Sequence, residues 1–319
     1  MDRSDAPVIA RTPIALAVAG SDSGAGAGIQ ADLRTFAALG VHAATAITAL
    51  TAQNTQGVRA IHLAPPDVVA AQIEAVTEDF AVAAIKIGML GSAAIIEAVA
   101  AFLPSPLAGE GPGVRGPAPD PSSGGLRPPP SPAIARRKTG VLPNARWGEG
   151  QAAFIVYDPV MAASSGEALS GAGFVESVRE RLLPRVDCLT PNLAEAAALL
   201  GEGIAESEAD MARQGSALIA LGARAVLVKG GHLHGDEVVD LLVTADRVRR
   251  FAAPRLASKN LHGTGCTLSS SIAAHVVLGK PLAEAVAAGK AFVREAIEAG
   301  RGLTLGAGPG PLIQIKLRC

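Results

Sequence analysis

Short apolar runs alternate with helical patterns along most of the 319-residue chain. The runs short enough for buried strands lie at 14–19, 43–50, 84–87, 154–157, 188–189 and 225–228. The segments with a helical apolar period lie at 29–39, 66–80, 92–102, 173–182, 193–200, 207–221, 264–278 and 282–299. Strands that alternate with helices in this way predict a three-layer α/β/α fold around a mainly parallel sheet.

Turn residues mark the ends of some of these elements. Gly40 follows the helix predicted at 29–39, in the position where a glycine commonly takes the left-handed conformation. Segments 238–244 and 247–251 flank an Ala-Asp pair, which predicts a β-hairpin. Ligands of open α/β sheets bind at the carboxyl ends of the strands, so polar residues that follow the apolar runs are the first candidates for chemistry.

The segment 104–150 departs from this pattern. It contains 11 of the chain's 22 prolines and 9 of its 36 glycines, with three consecutive prolines at 128–130. Proline supplies no backbone donor and interrupts helices, so such a segment neither pairs in a sheet nor holds a helix. We therefore expect a single domain over residues 1–319 that carries a disordered surface insertion at 104–150.

Composition and charge exclude several classes of protein. Hydrophobic residues make up 49% of the chain and the formal net charge is −1, so a large apolar core is expected and no nucleic-acid face is indicated. The early apolar run 14–19 is too short for a signal peptide or a membrane span. The cysteines Cys188, Cys266 and Cys319 lie far apart, which favours a reducing cytoplasm over a disulfide framework.

A glycine-rich loop lies between the first predicted strand and the first helix. It runs from Gly20 to Gly28 and contains Asp22. The loop does not fit the GxGxxG pattern, and no GxxxxGK[ST] motif occurs in the sequence, so dinucleotide-binding and P-loop interpretations are weak. The loop predicts a close approach of the backbone to a small ligand near Asp22. A plain flexible turn is the alternative.

A second glycine pair opens the helix predicted at 264–278. Gly263 and Gly265 free the backbone around Thr264, and the helix N-terminus contributes about half a unit of positive charge. These features predict an anion hole that suits a phosphoryl group in transfer. Cys266 lies in the first turn, where the same field is expected to lower the pKa of its thiol, so that it could act as base or nucleophile. A buried small cysteine behind a glycine-rich turn is the alternative.

Charged residues follow three further predicted strands. Asp158 and Lys229 each come directly after a strand, and Glu195 lies three residues after Asn192 at a helix start. The two carboxylates could hold Mg²⁺ through water, because this ion keeps several of its waters in proteins, and Lys229 could neutralise phosphate charge. Singly, each residue could equally be a surface carboxylate, a helix cap or a solvated lysine. Together with the anion hole they form the set of groups that phosphoryl transfer requires.

The same part of the sequence offers two other site interpretations. His232 and His234 lie two residues apart, but a glycine-rich loop explains them better than a metal pair does. A hydrolase built on Cys266 and His262 would leave the carboxylates and the lysine without a role.

The sequence resembles the hydroxymethylpyrimidine/phosphomethylpyrimidine kinases of thiamine biosynthesis, which belong to the ribokinase-like superfamily. The resembling segments are, in order, AVAGSDSGAGAGIQADLRTFAALG, ITALTAQNTQGV, KIGMLGS, YDPVM, LTPNLAEAAALL, VLVKGGH and KNLHGTGCTLSSSIAA. They cover most of the chain from residue 14 to about residue 300, except for the segment 104–150. The GTGC motif alone is moderately specific, whereas the ordered set is highly specific.

The resemblance implies a role for each residue that matches the family pattern. The substrate-binding residues would be Gly20, Asp22, Gly28, Asp32, Gln53 and Met89, with the Gln53 amide pairing with an aminopyrimidine edge. The catalytic residues would be Gly263, Thr264, Gly265, Cys266 and Lys229. The nucleotide-binding residues would be Asp158, Thr190, Asn192, Glu195, Lys229 and Lys290. Asp158 and Glu195 would also hold Mg²⁺, through water.

The resemblance also implies an activity. The implied activity is that of an ATP- and Mg²⁺-dependent kinase, which would phosphorylate 4-amino-5-hydroxymethyl-2-methylpyrimidine, a small molecule, and then its monophosphate. A cytoplasmic homodimer is expected. Two alternatives stay open: a pyridoxal/pyridoxine kinase of the same superfamily, whose substrate also carries a CH₂OH group on a nitrogen ring, and a non-catalytic nucleotide-binding protein. Gln53, in place of an apolar residue, favours the aminopyrimidine.

Overall fold

The computed structural model of the chain describes residues 12–104, 153–162, 166, 169, 171–231 and 233–315. The strands are β1 (Ile14–Asp22), β2 (His42–Asn54), β3 (Gly57–Leu63), β4 (Val82–Ile87), β5 (Phe154–Tyr157), β6 (Cys188–Leu189), β7 (Ala225–Lys229), β8 (Glu237–Thr244) and β9 (Val248–Pro254). The helices are α1 (Gly28–Ala38), α2 (Pro66–Asp79), α3 (Ala93–Ala100), α4 (Phe174–Ser177), α5 (Leu193–Leu200), α6 (Glu208–Ala220), α7 (Thr264–Val277) and α8 (Leu282–Gly300).

The described strands form one sheet in the order β3-β2-β1-β4-β5-β6-β7-β8-β9. From β2 to β7 in this order the neighbouring strands run parallel, while β3, β8 and β9 run antiparallel to their neighbours. This arrangement confirms the predicted, mainly parallel sheet, and β8 with β9 is the predicted hairpin. The carboxyl ends of the parallel strands therefore meet at one edge of the sheet.

Alternate residues of β1 enter two apolar layers on opposite faces of the sheet. Leu16 and Val18 join the layer that contains side chains of α2, α3, α5 and α6. Ala15 and Ala17 join the layer that contains side chains of α1, α7 and α8. The fold is thus the predicted three-layer α/β/α arrangement, and it places α7 against the sheet with its first turn near the strand ends.

Most predicted elements match the observed ones, with one strand missed. The bounds predicted at 154–157, 188–189 and 193–200 are those observed, and Gly40 has a φ of 76°, as expected for the residue after α1. The sequence pattern does not predict β3, because most of its side chains are exposed at the edge of the sheet and show no buried alternation. The helix predicted at 173–182 is α-helical only in α4 and continues as a π-helical turn.

After α3 the chain reaches the buried Leu103, and its next described stretch begins at the buried Ala153, directly before β5. Residues 105–150 of the expected insertion lie outside the described residues, as do His232 and Cys319. The single domain with its disordered insertion therefore stays a prediction. Within the described parts of the chain, every helix is too short or too polar to cross a membrane.

Candidate active site

A cavity of about 1010 Å³ lies at the carboxyl ends of the parallel strands. Most of the site residues predicted from the sequence line it. They are Gly20, Asp22, Gly28, Gln53, Met89, Asp158, Asn192, Glu195, Lys229, Gly263, Thr264, Gly265, Cys266 and Lys290. The fold therefore brings together residues that are more than 200 positions apart in the sequence.

The N-terminus of α7 faces an ion pair at the ends of β5 and β7. A Cβ atom placed on Gly265 would lie 3.2 Å from Asp158 Oδ2 and 3.3 Å from Lys229 Nζ. Lys229 Nζ donates to Asp158 Oδ1 over 2.6 Å. Because glycine has no side chain, the space between the helix N–H groups and these two charges stays open. An anionic group that enters it meets the helix N–H groups and the Lys229 ammonium together.

The first glycine-rich loop packs against the turn before α7 through contacts that only glycine allows. A Cβ atom on Gly263 would overlap the carbonyl oxygen of Gly26, and a Cβ atom on Gly26 would overlap the ring of His262. Gly263 also has a φ of 90°, which side chains disfavour. This close packing argues against a plain flexible turn, while the approach of the loop backbone to a small ligand stays a prediction.

Asp22 holds the first loop in shape through its carboxylate. Oδ1 accepts the N–H of Gly24 over 2.8 Å, and Oδ2 accepts those of Gly26 over 3.0 Å and Ala27 over 2.9 Å. His262 Nε2 lies 2.9 Å from Oδ2. Burial alone would raise the pKa of Asp22, but these hydrogen bonds, above all that of His262, hold the pKa below its usual value. Asp22 is therefore an ionised anchor between the loop and the turn before α7.

A capping box at the start of α5 positions Glu195. Asn192 Oδ1 accepts the N–H of Glu195 over 2.8 Å, and Glu195 Oε2 accepts the N–H of Asn192 over 2.7 Å. The carboxylate then lies 3.9 Å from Lys229 Nζ. Burial raises the pKa of Glu195 to about 7, with a further contribution from Asp158 and against the attraction of Lys229. Glu195 therefore changes its charge near neutral pH.

Lys229 keeps its charge despite its burial. Burial alone would lower the pKa of Lys229, but the carboxylates of Asp158 and Glu195 outweigh this effect and raise the pKa to about 12. A permanent positive charge therefore stands at the end of β7, beside the N-terminus of α7.

Cys266 lines the cavity, but its thiol is not activated as the sequence predicts. Burial raises the pKa of the thiol to about 11. Nearby Lys86 and the N–H of Gly28 lower this pKa, whereas the carboxylates of Asp32 and Asp158 raise it. The prediction of a lowered pKa is wrong, because the loss of solvation outweighs the field of the helix.

Asp32 and Thr190 were expected to contact ligands, but both lie behind the cavity wall. Asp32 is fully buried, pairs with Lys86 Nζ over 2.8 Å and accepts a hydrogen bond from Ser270 Oγ over 2.6 Å. Thr190 is also fully buried, with its hydroxyl oxygen 3.3 Å from Asp158 Oδ1. Both side chains point to protein partners, so Asp32 supports α1 and α7, and Thr190 supports Asp158.

Sequence reasoning missed several residues that support the site. Lys86 is an isolated charge inside an apolar run, and that isolation was the available signal of a buried partner. Asp240 accepts a hydrogen bond from Lys290 Nζ over 2.5 Å and another from the N–H of Gly230 over 3.1 Å. Asp240 therefore fixes Lys290 at the cavity wall. Its place among the buried residues of β8 was the signal in the sequence.

The segment after α8 connects the two helices that begin at the glycine-rich loops. Gln314 Oε1 accepts from Arg34 Nε of α1 over 3.0 Å, and Gln314 Nε2 donates to Thr267 Oγ1 of α7 over 3.0 Å. The N–H of His262 donates to the carbonyl oxygen of Gly310 over 3.2 Å. This segment, to which the sequence assigned no role, therefore stabilises the turn before α7.

Comparison with known proteins agrees with this geometry. A family model described as phosphomethylpyrimidine kinase matches residues 22–109 and 134–313. The chain belongs to the phosphomethylpyrimidine kinase family. The gap in this match, at 110–133, falls inside the segment expected to be an insertion.

Relatives and solved structures support membership in this kinase family. The hydroxymethylpyrimidine/phosphomethylpyrimidine kinase of Rhizobium meliloti is 46% identical over 301 residues, which cover 94% of this chain and 96% of that protein. The thiamine biosynthesis bifunctional protein ThiED of Geobacter sulfurreducens is 41% identical over 92% of this chain and 51% of its own length. The structure of the pyridoxal kinase from Staphylococcus aureus in complex with AMP-PCP and pyridoxal superposes with a TM-score of 0.74, at 28% identity over 95% of this chain and 94% of that one. The chain is a kinase, and its fold is ribokinase-like.

Substitution of Gly263 tests the contact between the two loops. Gly263→Ala should destabilise the protein, because the new methyl group overlaps Gly26 in addition to the cost of a positive φ. The matched control is Gly279→Ala after the other end of α7, where φ is 89° and no atom lies within 4 Å of the added Cβ. In urea unfolding, the free energy of unfolding should fall by about 1 kcal/mol for the control and by at least roughly twice that for Gly263→Ala. Equal losses would contradict the tight contact.

The raised pKa of Glu195 predicts a stability that falls as pH rises. The folded state holds the proton up to about pH 7, whereas the ordinary pKa is 4.5, so stability is lost between these values because only the unfolded chain ionises there. Glu195→Gln keeps the capping box, and its amide does not ionise, so no buried charge forms as the pH rises. In metal-free buffer it should raise the free energy of unfolding by roughly 2 kcal/mol at pH 8 and by little at pH 5. The control Glu97→Gln, at an exposed position of α3, should stay within about 0.5 kcal/mol at either pH. A Glu195→Gln protein that is less stable than wild type at pH 8 would refute this account.

Proposed function

We propose that the chain transfers the γ-phosphoryl group of ATP to the hydroxymethyl group of 4-amino-5-hydroxymethyl-2-methylpyrimidine, and then to the resulting monophosphate. The observation that carries this proposal is the position of Gly265. It sets the N-terminus of α7 against Asp158 and Lys229 within one cavity. This arrangement supplies N–H donors and a fixed positive charge where the charge of a transferring phosphoryl group develops.

The nucleotide lies, in this proposal, along the part of the cavity that carries the lysines. The charge of Lys229 suits the phosphates, and Lys290 is fixed beside Asp240 at the cavity wall. Asn192 also lines this part, at the start of α5. The ATP analogue bound to the Staphylococcus aureus pyridoxal kinase supports ATP as the phosphoryl donor of this fold.

Asp158 and Glu195 fit a Mg²⁺ ion held through water. This ion is commonly bound in kinases by one or two carboxylates together with waters and substrate phosphates. When bound, the ion would supply charge neutralisation on the phosphates.

The pyrimidine lies, in this proposal, against Gln53 and Met89 on the other wall. A primary amide donates and accepts at once, so Gln53 suits a ring edge that carries an accepting nitrogen next to an amino group. Met89 supplies an apolar wall, with its sulfur 3.1 Å from the position of a Cβ on Gly20. A side chain at position 20 would therefore narrow the ring's space.

Cys266 contributes only to the first of the two steps. The hydroxyl proton leaves late, after the incoming phosphoryl group has acidified it, and Cys266 can take it up only in its thiolate form. The pKa of about 11 makes the thiolate scarce at pH 7, so the first step should accelerate as pH rises. The second step attacks through a phosphate oxygen and has no alcohol proton to remove.

A pyridoxal kinase is the second candidate function. The similarity to the Staphylococcus aureus enzyme favours it, since that protein binds pyridoxal in the same fold. Gln53 favours the aminopyrimidine, as does the higher identity to the kinase of Rhizobium meliloti. The non-catalytic alternative is disfavoured by the intact set of Asp158, Glu195, Lys229 and Cys266 in one cavity. The homodimer and the cytoplasmic location stay predictions.

ADP release tests the proposed function. With Mg²⁺ and ATP, the protein should release ADP with the aminopyrimidine alcohol and with its monophosphate. The kcat/KM for the alcohol should exceed that for pyridoxal by at least roughly 100-fold, because a site built around a hydrogen-bonding amide rejects a ring that lacks the matching edge. A preference for pyridoxal would favour the second candidate. ADP release with none of the three would favour a non-catalytic protein.

The same assay with Cys266→Ala separates the two steps. The variant should lower the rate of the first phosphorylation at pH 8 roughly tenfold to a hundredfold and abolish its rise between pH 7 and pH 9. The rate of the second phosphorylation should change less than about twofold. Its pH dependence serves as the internal control for the ionisation of Glu195. Equal losses in both steps would leave Cys266 a structural role only.

A further inference from the structure

The side chain of Gln53 is held at both ends of its amide. As placed, the amide oxygen lies 3.1 Å from Thr51 Oγ1 and the amide nitrogen lies 3.3 Å from His262 Nε2. The hydrogen bonds that each end can make decide between this placement and its 180° flip. The backbone of Gln53 is fixed as well, because its N–H donates to Ser23 Oγ over 2.8 Å and the Ser23 hydroxyl donates back to its carbonyl oxygen over 2.7 Å. The position of the amide is therefore fixed, and what remains to be determined is which end carries the oxygen. A 180° rotation exchanges the two ends without moving any other group.

His262 decides the orientation of the amide from one side. Its Nε2 lies 2.9 Å from Asp22 Oδ2. The hydrogen bonds described above keep Asp22 ionised, and an ionised carboxylate only accepts, so Nε2 carries a hydrogen. With the amide nitrogen of Gln53 on this side, two sets of hydrogens would face each other over 3.3 Å. The amide oxygen therefore faces His262, where it shares the single Nε2 hydrogen with Asp22 Oδ2.

Thr51 leads to the same orientation from the other side. Its hydroxyl has a single hydrogen and lies 3.0 Å from the carbonyl oxygen of Ser21, which can only accept. With that hydrogen donated to Ser21, Thr51 Oγ1 is left as an acceptor for the amide. The amide nitrogen of Gln53 therefore faces Thr51, in agreement with the constraint from His262.

We propose that His262 is a positioning residue that fixes the Gln53 amide in one orientation and thereby selects the substrate's ring edge. The inference rests on the proposed function. The Gln53 amide donates one of its hydrogens to Thr51 and points one lone pair of its oxygen toward His262. It therefore keeps one N–H and one lone pair for a ligand, in a fixed order. An aminopyrimidine meets this order, with its ring nitrogen accepting and its amino group donating. Pyridoxal has no amino group beside its ring nitrogen.

The same turn also connects recognition to phosphoryl transfer. His262 directly precedes Gly263, the residue that caps α7, and its ring lies against Gly26 of the first loop. Asp22 therefore orients His262, which in turn orients Gln53, while the next residue begins the anion hole. A change at His262 that acts through Gln53 should alter binding of the pyrimidine and leave binding of ATP nearly unchanged.

A double-mutant cycle tests this inference. His262→Phe keeps a ring against Gly26 and removes the donor, so KM for the aminopyrimidine alcohol should rise roughly tenfold to a hundredfold, with KM for ATP within about twofold. In the Gln53→Ala background the same substitution should add less than about twofold. His262→Gln, which restores an N–H donor, should recover most of the loss. Independent, multiplying losses from the two sites, or an equal rise in KM for ATP, would overturn the inference.

A second variant covers the case in which His262→Phe does not fold. Thr51→Val removes the hydroxyl at the other end of the amide and should raise KM for the alcohol in the same direction, with no further effect in the Gln53→Ala background. An unchanged KM for Thr51→Val would overturn the fixed orientation. A failure of this inference can be distinguished from a failure of the proposed function. If the wild type releases no ADP with the aminopyrimidine, the proposed function fails, whereas phosphorylation without coupling between positions 53 and 262 refutes only the present inference.

Discussion

The site depends on the close approach of two chain segments, the loop 20–28 and the turn before α7, which touch through Gly26 and Gly263. This contact fixes where the N-terminus of α7 begins, and therefore which charges its first N–H groups face. It also brings Asp22 within hydrogen-bond distance of His262. Because the contact leaves no room for a methyl group, the loop 20–28 and the N-terminus of α7 are held in one fixed arrangement. Phosphoryl transfer requires such preorganisation.

Charge around this unit is arranged in two levels. Lys229, between Asp158 and Glu195, stands at the cavity, and the Lys86–Asp32 pair is fully buried behind it under α1 and α7. The buried pair is satisfied by Ser270 and so supports the helices without taking part in ligand contact. Burial also explains why Cys266 is a neutral thiol at rest despite its place at a helix N-terminus. Its surroundings, more than the helix field, set its acidity.

The sequence predicts most of the fold and a large part of the site, for identifiable reasons. Buried strands and amphipathic helices leave a periodic pattern, so β5, β6 and α5 are predicted to the residue, whereas the exposed edge strand β3 leaves none. Residues that follow strands, such as Asp158 and Lys229, are found because topology alone brings strand ends together. Partners chosen by tertiary packing are not encoded locally. The sequence pattern therefore predicts a ligand contact for Asp32, whose carboxylate pairs with Lys86 in the structure. It also predicts a lowered pKa for the thiol of Cys266, whereas burial raises that pKa.

In the proposed mechanism one cavity serves both phosphorylations, and the alcohol and the monophosphate bind in turn before the same helix N-terminus. The most direct measurement is the inhibition of monophosphate phosphorylation by the aminopyrimidine alcohol at saturating ATP, followed by ³¹P NMR so that the two products are resolved. We expect competitive inhibition, with an inhibition constant equal to the KM of the alcohol as a substrate. Non-competitive inhibition, or diphosphate formation at an unchanged rate when the alcohol is in excess, would contradict it.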